Sequence, residues 1–323
     1  RQNLVDPDWI IKILEGREEH IKPCIRCHNG CFNMAHYKGH ANAQAFGDTR
    51  GMARCAINPP TMQSRKYRLT PAAAPKEIAV IGGGIGGMES ALVCAQRGHN
   101  VTLYEKSDRL GGVFQAEKDR ALLAWYAREV TKYPNLTVKL GTEVKSLDAL
   151  HADEIIVATG ATPVSLPVPG AEKGIQAVDY LLGRRPVGEK VVIVGGGLTG
   201  CEIAYDLYLQ GKQPTIVEMK DDLIAVSGVC LANSSYLRDF FKTNQVPVYL
   251  ETSLGEIRDG SVTVTRKDGT RQELPADSVI LSVGYRPAPL AAKGRHIHIV
   301  GDARKVGNLR TVIWRAWDVC MKL

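Results

Sequence analysis

No uninterrupted apolar run in this 323-residue chain approaches the roughly 18 residues that a membrane-spanning helix needs, so no membrane partner is expected. The opening stretch, RQNLVDPDWIIKILEGREEH, is charged and amphipathic and has no signal-peptide pattern. No Met precedes it, so the sequence reads as a processed chain or a fragment. Aromatic residues make up only 6%, and none interleave with basic residues along a groove, which argues against nucleic acid as a partner. Eight cysteines without a secretory leader point to a reducing, cytoplasmic compartment rather than a disulfide framework.

The net charge of +7 is unevenly placed, because residues 1–70 hold 11 Lys and Arg against 6 Asp and Glu. An acidic or phosphate-bearing partner would suit that excess, but a solvated face is the default explanation.

What the chain does have is a repeat. KEIAVIGGGIGGMESALVCAQRGHNVTLYEK, from Lys76, reads as a buried strand, a glycine turn, a helix and a second strand that ends in Glu105. EKVVIVGGGLTGCEIAYDLYLQGKQPTIVEM, from Glu189, repeats it and ends in Glu218. A constant offset of 113 residues aligns Gly82 with Gly195, Gly84 with Gly197, Gly87 with Gly200, Glu89 with Glu202 and Glu105 with Glu218.

Each copy follows a strand, opens a helix and places a carboxylate 23 residues beyond its first glycine, which turns GxGxxG into a dinucleotide fingerprint. The first glycine permits the tight turn, and the second lets the backbone approach a pyrophosphate. The third lets helix and strand pack closely, and the helix N-terminus favours the diphosphate charge. Glu105 and Glu218 are then placed to accept hydrogen bonds from adenosine ribose hydroxyls. Cys94 and Cys201 fall in the two helices and read as buried structural thiols.

Ahead of the repeat, CIRCHNGC puts three thiols within eight residues, and Cys55 follows in RCAINPPT. Cys24, Cys27, Cys31 and Cys55 form a C-x2-C-x3-C-x23-C set of soft ligands suited either to zinc or to an iron–sulfur cluster. His28 could substitute in a zinc site. Zinc more often uses two separated C-x-x-C knuckles, so the iron–sulfur reading is preferred.

The pair of fingerprints resembles the two-dinucleotide-domain flavoprotein reductases of the glutathione reductase superfamily. LYEKSDRLGG, at 103–112, is similar to the acidic strand end and glycine pair near the flavin diphosphate in that superfamily. VATGATP, at 157–163, resembles its domain crossover, and IVGDAR, at 299–304, resembles the segment whose aspartate contacts the flavin. The resemblance implies an α/β fold with two Rossmann-like domains of the three-layer ββα type.

It implies FAD at Gly82, Gly84, Gly87, Glu105, Lys106, Arg109, Gly111, Gly112, Thr159, Gly160, Gly301 and Asp302. A nicotinamide nucleotide is implied at Gly195, Gly197, Gly200 and Glu218. The carboxylate of Glu218, with no arginine in VEMKDDLIAV, favours NADH over NADPH; Lys220 is the opposing residue. Neither glycine loop is followed by C-x-x-C or C-x4-C, so the dithiol exchange of that superfamily's disulfide reductases is disfavoured.

The whole chain resembles the C-terminal part of the iron–sulfur flavoenzymes related to bacterial 2,4-dienoyl-CoA reductase and trimethylamine dehydrogenase. There, an old-yellow-enzyme-type barrel carrying FMN precedes a 4Fe-4S segment and two nucleotide domains. RQNLVDPDW is similar to the tail of that TIM barrel, with Arg1 at the FMN phosphate, and IKPCIRCHNGC and CAINP are similar to the cluster motifs. The interval from Cys31 to Cys55 is longer than in the dienoyl-CoA reductase pattern, which implies an inserted loop.

The expected organisation is residues 1–70 for barrel tail, cluster segment and linker, 71–165 with 288–323 for FAD, and 166–287 for NAD(P). The resemblance implies an electron-input half: hydride from NADH to FAD, single electrons to the cluster, then to FMN in a barrel that reduces an activated C=C. No catalytic acid or base is assigned, and the small-molecule substrate is not bound by this fragment alone. Two alternatives stand beside it. One is an amine dehydrogenase-like chain whose second site holds a nucleotide without hydride transfer. The other, a module like the small subunit of glutamate synthase, needs more cluster cysteines than are present.

Overall fold

Strand β1 (Glu77–Ile81) is buried at four of its five residues and pairs in parallel on both sides. Its neighbours are β2 (Asn100–Tyr104) and β4 (Glu154–Val157). A parallel strand covered on both faces must be apolar almost throughout, and EIAVI is. This structure is a computed structural model and describes residues 2–32, 53–117, 119–226 and 229–323.

The described residues form two units. The first runs up to Thr162 and resumes with Arg286–Leu323; the second is Pro163–Tyr285. In the first, β3 (Leu136–Lys139) and β15 (Ile297–Ile299) complete a parallel sheet of order β15-β4-β1-β2-β3. The chain leaves β1 toward β2 and β3, then returns to β4 on the other side. This order reversal opens a crevice beyond the carboxyl end of β1.

Two short helices, α1 (Gln2–Val5) and α2 (Trp9–Leu14), begin this unit. The sequence suggests Asp6 as a helix start, and its Oδ1 accepts the Asp8 amide at 3.2 Å, while Asp8 holds the residue position just before the helix. Oδ2 of Asp6 also pairs with Lys12 at 2.6 Å and accepts the amide of Lys22 at 2.8 Å. Helix α3 (Ile85–Gln96), which links β1 to β2, is buried from Ile85 to Ala95. Helix α4 (Ala121–Glu129) contributes the buried Leu122 and Tyr126. At the end of the chain, α8 (Gly301–Arg304) and α9 (Leu309–Cys320) follow β15. Helix α9 covers α3 with Ile313, Ala316, Trp317 and Cys320.

The second unit repeats the plan. β7 (Lys190–Val194) lies between β8 (Gln213–Val217) and β13 (Ser278–Leu281). With β6 (Ile175–Gln176) and β9 (Val248–Tyr249) the order is β6-β13-β7-β8-β9. Helices α5 (Ala177–Leu181), α6 (Leu198–Leu209) and α7 (Leu231–Thr243) pack on that sheet. Its other face is covered by an antiparallel sheet of β10 (Thr252–Arg258), β11 (Ser261–Arg266) and β12 (Arg271–Pro275). The result is the expected three-layer ββα arrangement. The hairpin turns at Asp268-Gly269, where Oδ1 of Asp268 accepts the Thr270 amide at 2.8 Å.

Candidate functional site: two dinucleotide loops and a four-thiol cavity

Three glycines shape each loop, for different reasons. Gly82 and Gly195 both have φ +106, and a Cβ there would come within 2.5 Å of the Ala158 carbonyl or 2.3 Å of the Ser282 carbonyl. A Cβ on Gly87 would sit 1.8 Å from the Gly82 carbonyl, and one on Gly200 would sit 1.9 Å from that of Gly195. Only a hydrogen fits between helix and turn at that spacing. Gly84 and Gly197 face open space, with nothing within 4 Å of the added carbon. They cap α3 and α6 with no side-chain hydrogen bond, which leaves the first helical amides for an anion.

The acids are fixed from behind. Oε2 of Glu105 accepts the Gly83 amide at 2.7 Å, while Oε1 accepts both the amide and the hydroxyl of Ser107. In the second unit, Oε2 of Glu218 accepts the Gly196 amide at 2.6 Å and Oε1 accepts the Lys220 amide at 2.8 Å. Both carboxylates are buried. Their remaining lone pairs can accept ribose hydroxyls. The amides of Gly83 and Gly196 were not anticipated as partners, because no side chain marks them. Lys220, set against NADH by its charge, contributes its backbone here, and its ammonium turns to the carbonyl of Ala225 at 3.1 Å.

Other expected flavin residues gather unevenly around the first loop. The Gly111 amide donates to the Gly83 carbonyl at 2.8 Å, and Gly112 packs against Gly84. Gly301 lies beside Gly86 at the first turn of α3. Asp302 accepts the Gly307 amide at 3.0 Å, and burial raises its pKa against the pull of that bond and of Arg315. Thr159 donates to the Ala288 carbonyl at 2.7 Å, and the Gly160 carbonyl accepts the Ala288 amide. Lys106 and Arg109 are exposed, and Arg109 sits 3.5 Å from its neighbour Asp108. Arg1 lies outside the described residues, as does most of the loop between Cys31 and Cys55.

Cys24, Cys27, Cys31 and Cys55 line one small cavity in the first unit, together with His28. All four are free thiols. Among the described residues, no three His, Cys, Asp or Glu side chains converge closely enough to hold a single metal ion. Arg26 and His28 both have φ +55, an uncommon conformation for such residues that folds the loop around the cavity.

Burial pushes the Cys27 thiol up to about 11, aided by the charges of Cys55, Cys31 and Cys24, while the Asn29 amide pulls it down. Burial also raises Cys55, against the amides of Ile57 and Asn58 and the charge of Lys22. Four soft donors around one cavity, with backbone amides directed at two of them, suit an iron–sulfur core, whose positive charge would offset the mutual repulsion of the thiolates it needs. Of the remaining cysteines, Cys94 and Cys320 lie in the core of the first unit and Cys201 in that of the second, and Cys230 is buried in the second unit.

Contacts made by α9 and α3 link the surroundings of the cavity to the helix of the first loop. Trp314 on α9 donates its indole N–H to the Cys55 carbonyl at 3.2 Å. Glu89, on α3, accepts Tyr126 at 2.6 Å and Trp317 at 2.5 Å and lies 3.5 Å from the Lys22 ammonium. No local pattern marks these partners.

Twin parallel sheets, each with a glycine loop and a buried acid at its switch point, define an oxidoreductase of the two-nucleotide-domain type. The chain belongs to the family described as pyridine nucleotide-disulphide oxidoreductase, which it matches over residues 48–151 and 127–304. It is 35% identical over its full length to cinnamate reductase of Clostridium sporogenes, covering 49% of that protein. It is 31% identical to NADH oxidase of Thermoanaerobacter brockii over 99% of this chain and 50% of that one.

The solved structure of a 2-naphthoyl-CoA reductase complex superposes with a TM-score of 0.84 at 28% identity, over 100% of this chain and 50% of its own. The chain thus spans about half the length of these relatives. Among the described residues no helix is long and apolar enough to cross a membrane.

Proposed function

We propose that this chain is the electron-input half of a cytoplasmic iron–sulfur flavoenzyme, with FAD in the first unit, NADH in the second and a 4Fe-4S cluster on the four thiols. The observation that carries the reading is that four thiols line one cavity in the same unit as the first dinucleotide loop. When bound, FAD supplies the exchange between a two-electron hydride and single electrons that the cluster can carry.

The protein's share is binding and orientation. Open amides at Gly84 and Gly197 receive diphosphates, and Glu105 and Glu218 fix the riboses. Cys24, Cys27, Cys31 and Cys55 hold the metal core. The carboxylate of Glu218, already held by two amides, supports NADH over a 2′-phosphorylated nucleotide.

Half-length coverage of the relatives supports a further domain, which we place as an FMN barrel with Arg1 at the FMN phosphate. The names cinnamate reductase and 2-naphthoyl-CoA reductase support an activated C=C, in an acid or thioester, as the group that barrel reduces.

An anaerobic NADH titration, with iron and acid-labile sulfide assayed on the same sample, tests this reading. Iron and sulfide together, with flavin and cluster absorbance bleaching in parallel, is the expected result. Zinc in place of iron overturns the cluster. A flavin left oxidised by NADH makes the second site a binding site only.

A further inference from the structure

Three of the four thiols share one short loop, so their spacing is fixed locally. Cys55 is not local: 23 residues separate it from Cys31. Its position must come from tertiary contacts. The Arg54 amide donates to the Gly30 carbonyl at 2.5 Å, tying the Cys55 segment to the loop. On the other side, the Trp314 indole donates to the carbonyl of Cys55 itself, at 3.2 Å.

Trp314 sits three residues before Trp317 on α9, so the two indoles share one face of the helix. Trp317 donates to Glu89 on α3, the helix that begins at the first dinucleotide loop. Tyr67 wedges edge-on against both rings, 6.3 Å from Trp314 and 5.7 Å from Trp317, and its hydroxyl donates to Asp318 at 2.7 Å. One rigid helix face therefore touches the nonlocal thiol segment at one end and the nucleotide helix at the other.

We propose that Trp314 is a positioning residue for the fourth metal ligand, and that α9 sets the register between the thiol cavity and the flavin loop. The inference rests on the four-thiol cluster reading. Trp314 touches neither flavin nor metal; it acts through the Cys55 backbone. Phenylalanine at 314 keeps a ring against Tyr67 and removes only the donor.

The test uses the chain reconstituted anaerobically with iron, sulfide and FAD. It compares Trp314→Phe with wild type and with Tyr67→Phe, which loosens α9 at Asp318 without touching Cys55. Expected for Trp314→Phe is wild-type FAD content, altered g-values in the EPR spectrum of the reduced cluster, and cluster loss to a ferrous chelator faster by about three- to ten-fold, the scale of one hydrogen bond. Tyr67→Phe is expected to leave the g-values and the loss rate at wild type.

Wild-type g-values and loss rate in Trp314→Phe would overturn the proposal while leaving the cluster reading intact. Equal acceleration in Tyr67→Phe also overturns it, since general loosening of α9 then accounts for the effect. A wild-type chain that binds no iron sinks the cluster reading itself.

Discussion

The indole N–H of Trp317 donates to Oε1 of Glu89 at 2.5 Å, across 228 residues of sequence. Tyr126 and Lys22 complete the surroundings of that carboxylate, which is 4% exposed. Its counterpart in the second copy, Glu202, is exposed on α6. Two glutamates at the same place in a repeat thus have opposite environments. Glu89→Ala strands a buried ammonium, a phenol and an indole, and is expected to destabilise the first unit by about 3–5 kcal/mol. Glu202→Ala, at an exposed position, is expected to cost less than Glu89→Ala. Denaturant melts of both variants check this.

The glycines make a sharper contrast. Gly87→Ala drives a methyl to 1.8 Å from a backbone carbonyl, while Gly84→Ala meets nothing within 4 Å. Gly87→Ala should lose at least about 1–3 kcal/mol of stability, because backbone must move. Gly84→Ala should keep the wild-type melting temperature and lose FAD affinity, since its methyl occupies the space open to the diphosphate. Thermal melts and FAD fluorescence titration separate the two outcomes.

Cysteine substitutions test the donor set. Cys27→Ser or Cys55→Ser is expected to lower bound iron well below the about four atoms per chain that a 4Fe-4S cluster holds. Cys230→Ala, at a buried thiol of the second unit, is expected to retain them. Iron and sulfide analysis after anaerobic reconstitution is the measurement. Equal iron in all three variants would remove the thiols from the site.

Acid stability should depend on Glu154, at the start of β4. Burial pushes this carboxyl up, but hydrogen bonds from Lys76 at 2.8 Å and His298 at 2.9 Å outweigh it, with His296 assisting. The net effect takes it from 4.5 to about 2. A folded pKa below the unfolded one contributes stability above about 4.5 that is lost as pH falls toward about 2. Glu154→Gln should therefore be less stable at neutral pH and show a flatter stability profile between those limits. Urea melts across the acid range provide the comparison.

The fold class was legible because its signals are local. Apolar strands, a glycine turn and a buried helix lie consecutively in thirty residues, and the second copy repeats them at a fixed offset. Distant partners were not legible. Asp6 precedes a proline as a helix start would and accepts the Asp8 amide, but nothing local shows that it also binds Lys12 and the Lys22 amide. The thiols show the same division: Cys24, Cys27 and Cys31 announce a shared site by spacing, whereas the supports of Cys55 come from Gly30 and Trp314, which no pattern connects to it.

By itself the sequence determined the positions where chemistry forbids a side chain, and the carboxylates at the ends of the second strands. Those constraints act within a single strand–turn–helix–strand unit, so the order of residues carries them. Only the tertiary structure decided that Glu89 is buried while Glu202 is exposed, that Glu105 and Glu218 are held from behind by glycine amides, and that Cys55 faces the same cavity as the three thiols of the short loop. Burial and hydrogen bonding depend on which elements pack together, and α9, more than two hundred residues after α3 begins, supplies the indole that meets Glu89.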